Sequence, residues 1–275
     1  MVFHSADVFL THSRIMCGDY ELFIDGKSKI PLHHLLIVGQ VGSGKTYALY
    51  SLILQMLDKR VPYQLYFADP KASSLSTLGG VVAPKTTAET IEEIINLLHI
   101  FHAAMEKRKA EIKARLSEKL DGTYADFGLP PHVLIFDEYS SFIAHVNTLD
   151  RDKKDEVLAM LKAIVLQGRQ LGFFLWIVMQ KSDASTISTD IRDNLVGRFV
   201  LGQSEPTTYE TCFGASASIP KRRYTAGQGV FTYSGITTSG HPKPCYFPTL
   251  NFDVLGAVKK AILRDESGQT PQPRS

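Results

Sequence analysis

The sequence predicts an α/β fold with a mostly parallel central sheet and helices on both of its faces. Three observations carry that reading. Short apolar runs alternate with stretches of helical periodicity along most of the chain. The runs are apolar at nearly every position rather than at every second one, which suits strands buried on both faces. One run leads straight into a glycine-rich loop and an apolar helix.

Taken in order, residues 1–33 read as a lead-in of strand and loop. Leu35–Val38 is the first core strand, and Thr46–Leu57, apolar nearly all round, is a buried helix. Gln64–Ala68 is a second strand, ending at Asp69-Pro70. Thr86-x-x-Glu89 reads as a capping box for a helix in which Ile91, Ile94, Ile95, Leu98 and Met105 recur at helical spacing. That helix turns highly charged from Glu106 to Lys119, and Asp121-Gly122 and Pro130-Pro131 break it. Val133–Phe136 is a strand ending at Asp137-Glu138, and Phe173–Met179 is one ending at Gln180, with core Trp176 inside it. Residues 155–169 and 187–195 read as helices, and Arg198–Leu201 and Gly229–Tyr233 as late strands. No linker interrupts residues 17–264. The polar residues 265–275, with two prolines, read as a disordered tail.

Composition narrows the function classes. With 44% apolar residues in 275, the chain has material for a large core, which excludes general disorder. No uncharged apolar stretch reaches the ~18–20 residues of a membrane span, and the N-terminus lacks the pattern of a signal peptide. Cys17, Cys212 and Cys245 are odd in number and far apart, so they read as free thiols in a reducing cytosol, without zinc spacing. His33-His34 find no third ligand and read as structural. Thirty basic against 28 acidic side chains leave a net charge of +2. Any nucleic-acid role therefore has to come from local placement of charge.

The chemistry sits in two motifs. Gly39-Gln40-Val41-Gly42-Ser43-Gly44-Lys45-Thr46 fits G-x-x-x-x-G-K-[ST] at every position. Glycines let successive N–H groups turn inward on an anion, and the helix N-terminus adds its positive dipole end. Lys45 would reach the β- and γ-phosphates, and the Thr46 hydroxyl would ligate Mg²⁺. The second motif is the apolar strand ending in Asp137-Glu138, whose acids would face the crevice at the carboxyl end of a parallel sheet. Asp137 would hold Mg²⁺ through its water shell, and Glu138 would orient and deprotonate the attacking water. Together the motifs indicate nucleoside-triphosphate hydrolysis. A Glu beside the Asp suits a hydrolase rather than a kinase, an association between families and not a physical derivation.

With these residues in place, the chain resembles the motor core of FtsK/SpoIIIE-type DNA translocases, a branch of the RecA-like P-loop ATPases, from about residue 17 to residue 235. Ile30 to Gly39 is similar to that family's K-x-P-H-L-L-I-x-G entry, Asp69-Pro70-Lys71 to its D-P-K, and Met105-Glu106-Lys107-Arg108 to its M-E-R-R. Gly168-Arg169-Gln170-Leu171-Gly172 resembles its G-R-x-x-G, Gln180 its sensor-strand terminus, and Ala226-Gly227-Gln228-Gly229 its late G-x-G. Two features depart from the pattern. Lys181-Ser182 stands where the family has Arg-Pro, and Ala72-Ser73-Ser74 lacks its acid after D-P-K.

The resemblance implies a RecA-like motor domain over residues 34–264, using ATP and Mg²⁺ on double-stranded DNA as a homo-oligomeric, hexameric ring. It implies an arginine supplied to the neighbour's nucleotide, with Arg108 first and Arg169 and Arg198 behind it, and Gln180 sensing the γ-phosphate. Lys181 and Arg192 match basic positions facing the DNA backbone, where contacts carry affinity rather than sequence. Lys221-Arg222-Arg223, three consecutive basic residues, is a candidate second DNA contact. Large members carry a membrane domain and a winged-helix DNA reader, for which this length leaves no room. Short members occur on mobile elements, so DNA transfer or segregation of a plasmid or conjugative element is the expected setting, with a cytoplasmic enzyme recruited to the membrane by partners. Three alternatives stay open: a coupling ATPase that delivers a DNA–relaxase complex to a channel, a nucleotide-switched adaptor that does not translocate, and a protein-secretion ATPase.

Overall fold

A computed structural model describes residues 1–181, 186–238 and 240–266. The N-terminal region holds β1 (Val2–Phe3), α1 (Ala6–Met16), β2 (Glu21–Phe23) and β3 (Lys29–Pro31). Strand and loop were expected here, and α1 corrects that. Its Phe9 and Leu10 are buried while Val8 and Ile15 are exposed, so apolar residues on both sides blur the helical stripe. Phe9 packs edge-on against Phe3 with centroids 5.2 Å apart.

The core sheet then begins with β4 (Leu35–Val38), α2 (Lys45–Leu57), β5 (Gln64–Ala68), α3 (Ser74–Val82) and β6 (Thr87–Ala88). It continues with α4 (Ile91–Arg115), β7 (His132–Phe136), α5 (Tyr139–Val146), α6 (Arg151–Leu171) and β8 (Phe173–Met179). The chain closes with α7 (Thr189–Asn194), β9 (Gly197–Leu201), α8 (Pro206–Phe213), β10 (Gln228–Tyr233), β11 (Lys243–Tyr246), β12 (Thr249–Leu250) and α9 (Val254–Glu266). Of the expected tail, residues 267–275 lie outside the described residues.

Eight strands form the central sheet in the order β11-β10-β9-β4-β8-β7-β5-β6. The six from β9 to β6 run parallel. At the other edge β10 and β11 are antiparallel. β4, β7 and β8 are almost wholly buried, as continuous apolar runs require. Register decides what the sheet presents. Val38 pairs with both Met179 and Val200, and Phe136 pairs with Ala68 and Ile177. The carboxyl ends of β4, β5, β7, β8 and β9 therefore come level, and the residues after them share one edge.

The cap of α4 lies one turn later than expected. Thr90 Oγ accepts from the Glu93 N–H at 3.2 Å, and the Glu93 carboxylate accepts from the Thr90 N–H at 3.0 Å. Thr86 instead belongs to a 3₁₀ turn and donates its hydroxyl to the Leu65 carbonyl at 2.8 Å. Gln55, fully buried on α2, accepts from the Phe23 N–H at 2.9 Å and donates to the Phe23 carbonyl at 3.0 Å. This clamps the β2–β3 hairpin to the core. His34 Nδ1 accepts from the Leu175 N–H at 2.9 Å, and the His33 carbonyl accepts from Trp176 Nε1 at 2.9 Å. Burial holds the His33 pKa down at about 4 and that of His34 well below its usual value, so both rings are neutral props. Among the described residues no group of three His, Cys, Asp or Glu could hold a metal ion, and no helix is long and apolar enough to cross a membrane.

Candidate active site

The phosphate loop joins β4 to α2 in the shape its glycines allow. Gly42 and Gly44 sit at φ 80° and 92°, which strain any side chain. At Gly44 space is closed as well, because a Cβ there would overlap the Gly227 nitrogen. The Gly227 N–H donates to the Ser43 carbonyl at 2.8 Å, so the segment before β10 buttresses the loop. Lys45 Nζ donates to the carbonyls of Gly39 and, at 3.1 Å, Gln40. Burial lowers the Lys45 pKa, opposed by the nearby charges of Asp137 and Glu138. Thr46 is exposed at the helix start, and its hydroxyl has no partner among the described residues. Gln40 and Val41 form the exposed tip.

Across from this loop, β7 delivers the two acids. Asp137 receives one hydrogen bond, from the Glu138 N–H at 3.0 Å. Burial, then the charge of Asp69, pushes its pKa up to about 6. A half-buried carboxylate so short of compensation suits a divalent cation, and the free Thr46 hydroxyl across the loop suits its coordination shell. These two residues would hold Mg²⁺ as it arrives with a nucleotide. Glu138 is a non-glycine residue at φ 48°, a conformation costing about 1–3 kcal/mol that marks functional sites. Its Oε1 accepts from the Ser140 hydroxyl at 2.8 Å, and its Oε2 lies 3.1 Å from Lys71 Nζ.

Asp69, fully buried at the end of β5, organises the adjoining turn. Its carboxylate accepts from the N–H groups of Lys71, Ser73 and Ser76 at 3.1, 2.8 and 3.2 Å and from the Ser73 hydroxyl at 2.6 Å. Neither this cradle nor the Lys71–Glu138 contact follows from sequence reasoning on the two motifs. The D-P-K string was the available signal.

The remaining candidates scatter. Gln180 is exposed and lines a cleft of about 330 Å³ with Gln40, Val41, Lys181 and Glu205, so it stands beside the loop tip. Lys181 ion-pairs with Glu205 at 2.9 Å. Arg192 lies 3.5 Å from Asp193. Lys221, Arg222 and Arg223 are exposed, and Arg222 lies over the Tyr246 ring at 5.5 Å. Residues 182–185, which include Ser182 of the segment expected to face DNA, lie outside the described residues.

Arg108 lies inside the fold and not on a solvated face of α4. It points into the core with 8% of its side chain exposed, donates to the Pro130 and Leu171 carbonyls at 3.2 Å each, and pairs with Glu111 at 3.2 Å. A guanidinium so committed ties α4 to the start of β7 and the end of α6. Arg198 likewise spends its donors on the carbonyls of Leu195, Cys212 and Arg192. Arg169 differs: it is exposed near the end of α6 and has no hydrogen-bond or ion-pair partner among the described residues.

Comparison with known proteins converges on one group. The model of the FtsK/SpoIIIE family matches residues 14–183. The FtsK-domain-containing protein YdcQ of Bacillus subtilis (strain 168) is 30% identical over 240 residues, covering 86% of this chain and 48% of that protein. DNA translocase FtsK of Streptococcus pneumoniae is 25% identical over 199 residues, covering 67% and 25%. The chain thus spans at most about half the length of these relatives. Among solved structures, the pCW3 conjugation coupling protein TcpA with ATPγS aligns at TM-score 0.62 and 18% identity, over 81% of this chain and 63% of that one. EssC ATPases 2 and 3 from Geobacillus thermodenitrificans align at TM-score 0.64 and 17% identity, over 93% and 50%. At such identities these two show the fold alone, that of a P-loop ATPase.

Proposed function

From the premise that the chain belongs to the FtsK/SpoIIIE family of P-loop ATPases, we propose that it is a ring-forming motor whose ATP hydrolysis moves double-stranded DNA. The observation that carries this reading is the level sheet edge that brings Lys45, Asp137 and Glu138 together, with Arg169 unpaired elsewhere on the surface. In the proposed cycle Lys45 leaves the loop carbonyls for the β- and γ-phosphates. Thr46 and Asp137 would hold Mg²⁺, which would supply charge neutralisation on the phosphates. Glu138 takes the proton of the attacking water, and Gln180 lies near enough to the loop tip to report on the γ-phosphate. A neighbouring subunit brings Arg169 to the leaving phosphate, which can be worth several powers of ten in rate.

The motor unit in this reading is residues 34–264, with residues 1–33 docked on it through Gln55, and the ring is a hexamer. Lys221, Arg222 and Arg223 supply exposed charge for the DNA backbone, joined by Lys181 and Arg192 if their acidic partners yield. The working setting is the cytoplasm, with transfer or segregation of a mobile element as the task.

A second reading has one observation in its favour. The net charge is only +2, and Lys181 is already neutralised by Glu205. A motor whose cargo is a DNA–relaxase complex or another protein would need fewer free cations. Steady-state ATPase activity with and without linear double-stranded DNA, over a range of protein concentrations, separates the two. Strong DNA stimulation rising steeply with concentration supports the DNA ring motor. Turnover indifferent to DNA overturns it in favour of a protein cargo.

A further inference from the structure

Beyond the residues that the motifs assign, one side chain touches the candidate base. Lys71, in the turn after β5, places Nζ 3.1 Å from Glu138 Oε2. The other carboxylate oxygen is taken by the Ser140 hydroxyl at 2.8 Å. Each oxygen already has a partner, so a water that Glu138 is to deprotonate must share the carboxylate with the Lys71 ammonium and the Ser140 hydroxyl. The backbone on both sides of this contact is strained. Ala72, next to Lys71, sits at φ 47° and Glu138 at φ 48°, the two non-glycine residues at positive φ among those described. Such strain persists only where the surroundings impose it. Here the Asp69 cradle imposes it on the Lys71 turn. Lys71 is also near enough to Lys45 for its charge to oppose the Lys45 ammonium, so it stands beside the place of the terminal phosphates. With 48% of its side chain exposed, its long stem is free to swing.

We propose that Lys71 is a latch on Glu138 that the terminal phosphate of ATP releases. In the empty site its ammonium holds the carboxylate. When ATP binds, it transfers to the γ-phosphate oxygens and leaves Glu138 Oε2 open to the water. ADP has no such phosphate and leaves the latch closed. Lys71 is thus a positioning residue that couples the identity of the nucleotide to the readiness of the base. The inference rests on the proposed role of Glu138 and is independent of what the motor moves.

The test is calorimetric binding of ATPγS and of ADP, with Mg²⁺ and without DNA, to the full chain and to K71A, K71R, E138Q and the K71A/E138Q double variant. K71A weakens ATPγS about tenfold, equivalent to about 1.4 kcal/mol, and changes ADP affinity by less than about twofold. K71R recovers most of the loss. E138Q frees the lysine and so tightens ATPγS in the wild-type background but not beside K71A. Equal weakening of both nucleotides by K71A, or of neither, overturns the latch, as does a tightening by E138Q that survives K71A. Turnover separates this from the parent reading. Wild-type turnover by E138Q removes the role of Glu138 itself, whereas a dead E138Q beside an unchanged nucleotide preference in K71A overturns the latch alone.

Discussion

Replacing Arg108 by alanine should cost stability and spare chemistry, whereas replacing Arg169 should do the reverse. Arg108 contributes two hydrogen bonds from a charged donor to the Pro130 and Leu171 carbonyls, each worth about 1.5–3 kcal/mol. It also stacks its guanidinium over Phe173 at 5.6 Å, worth about 0.5–1 kcal/mol. Water reaching the vacated site returns part of this, which leaves a net loss of about 3 kcal/mol. For a chain of this size that lowers Tm by about 5 °C. The assay pairs thermal unfolding with ATP turnover measured well below both transitions. R108A should melt about 5 °C early and turn over ATP within about twofold of wild type per folded molecule. R169A should melt with wild type and lose on the order of a hundredfold or more in turnover. An R108A protein with unchanged Tm and lost turnover would refute the assignment of Arg108 to the scaffold and return it to the subunit contact.

Four further outcomes are expected. K45A loses ATP binding at millimolar nucleotide, checked by equilibrium dialysis. E138Q retains ATP but slows turnover by about 10²–10⁴-fold, read in steady state. G44A loses nucleotide binding while staying folded, because its Cβ meets Gly227 and its φ is 92°; a binding-competent G44A would show the buttress to be yielding. Stability should fall on acidification below pH 6.5. The unfolded chain protonates His33 and His132 from that point, whereas burial delays their uptake in the fold to about 4 and about 3 respectively. The loss reaches about 1 kcal/mol per ring near pH 5.5, and a pH-independent Tm between neutrality and that value would contradict the burial of these rings.

Legibility in the sequence followed the range of the interactions. The phosphate loop and the acid-ended strand are set by neighbours in the chain, and both were readable. The parallel core was readable because strands covered on both faces leave an unbroken apolar signature. The burial of Arg108 has a signal in the sequence. Ile94, Leu98, Phe101, Met105, Arg108 and Ile112 follow one another at intervals of three or four, and all are buried. Position on that stripe outweighs charge in deciding where the side chain goes. The cap of α4 was displaced because Thr86/Glu89 and Thr90/Glu93 present the same pattern four residues apart. Only the 3₁₀ turn that consumes Thr86 separates them. The Lys71–Glu138 contact and the antiparallel edge strands are long-range pairings, which local periodicity does not encode.

The bond between Gly227 and Ser43 links two parts of the molecule far apart in sequence. Gly227 donates to the phosphate loop and accepts from the Phe247 N–H at 2.8 Å. Four residues before it stands Arg223, the last of the exposed basic run. Residues 43–44 thus touch, through this peptide contact, the root of the cationic segment and the antiparallel edge of the sheet. Coupling along this route needs no domain hinge, only a loop held at Gly227 between Ser43 and Phe247.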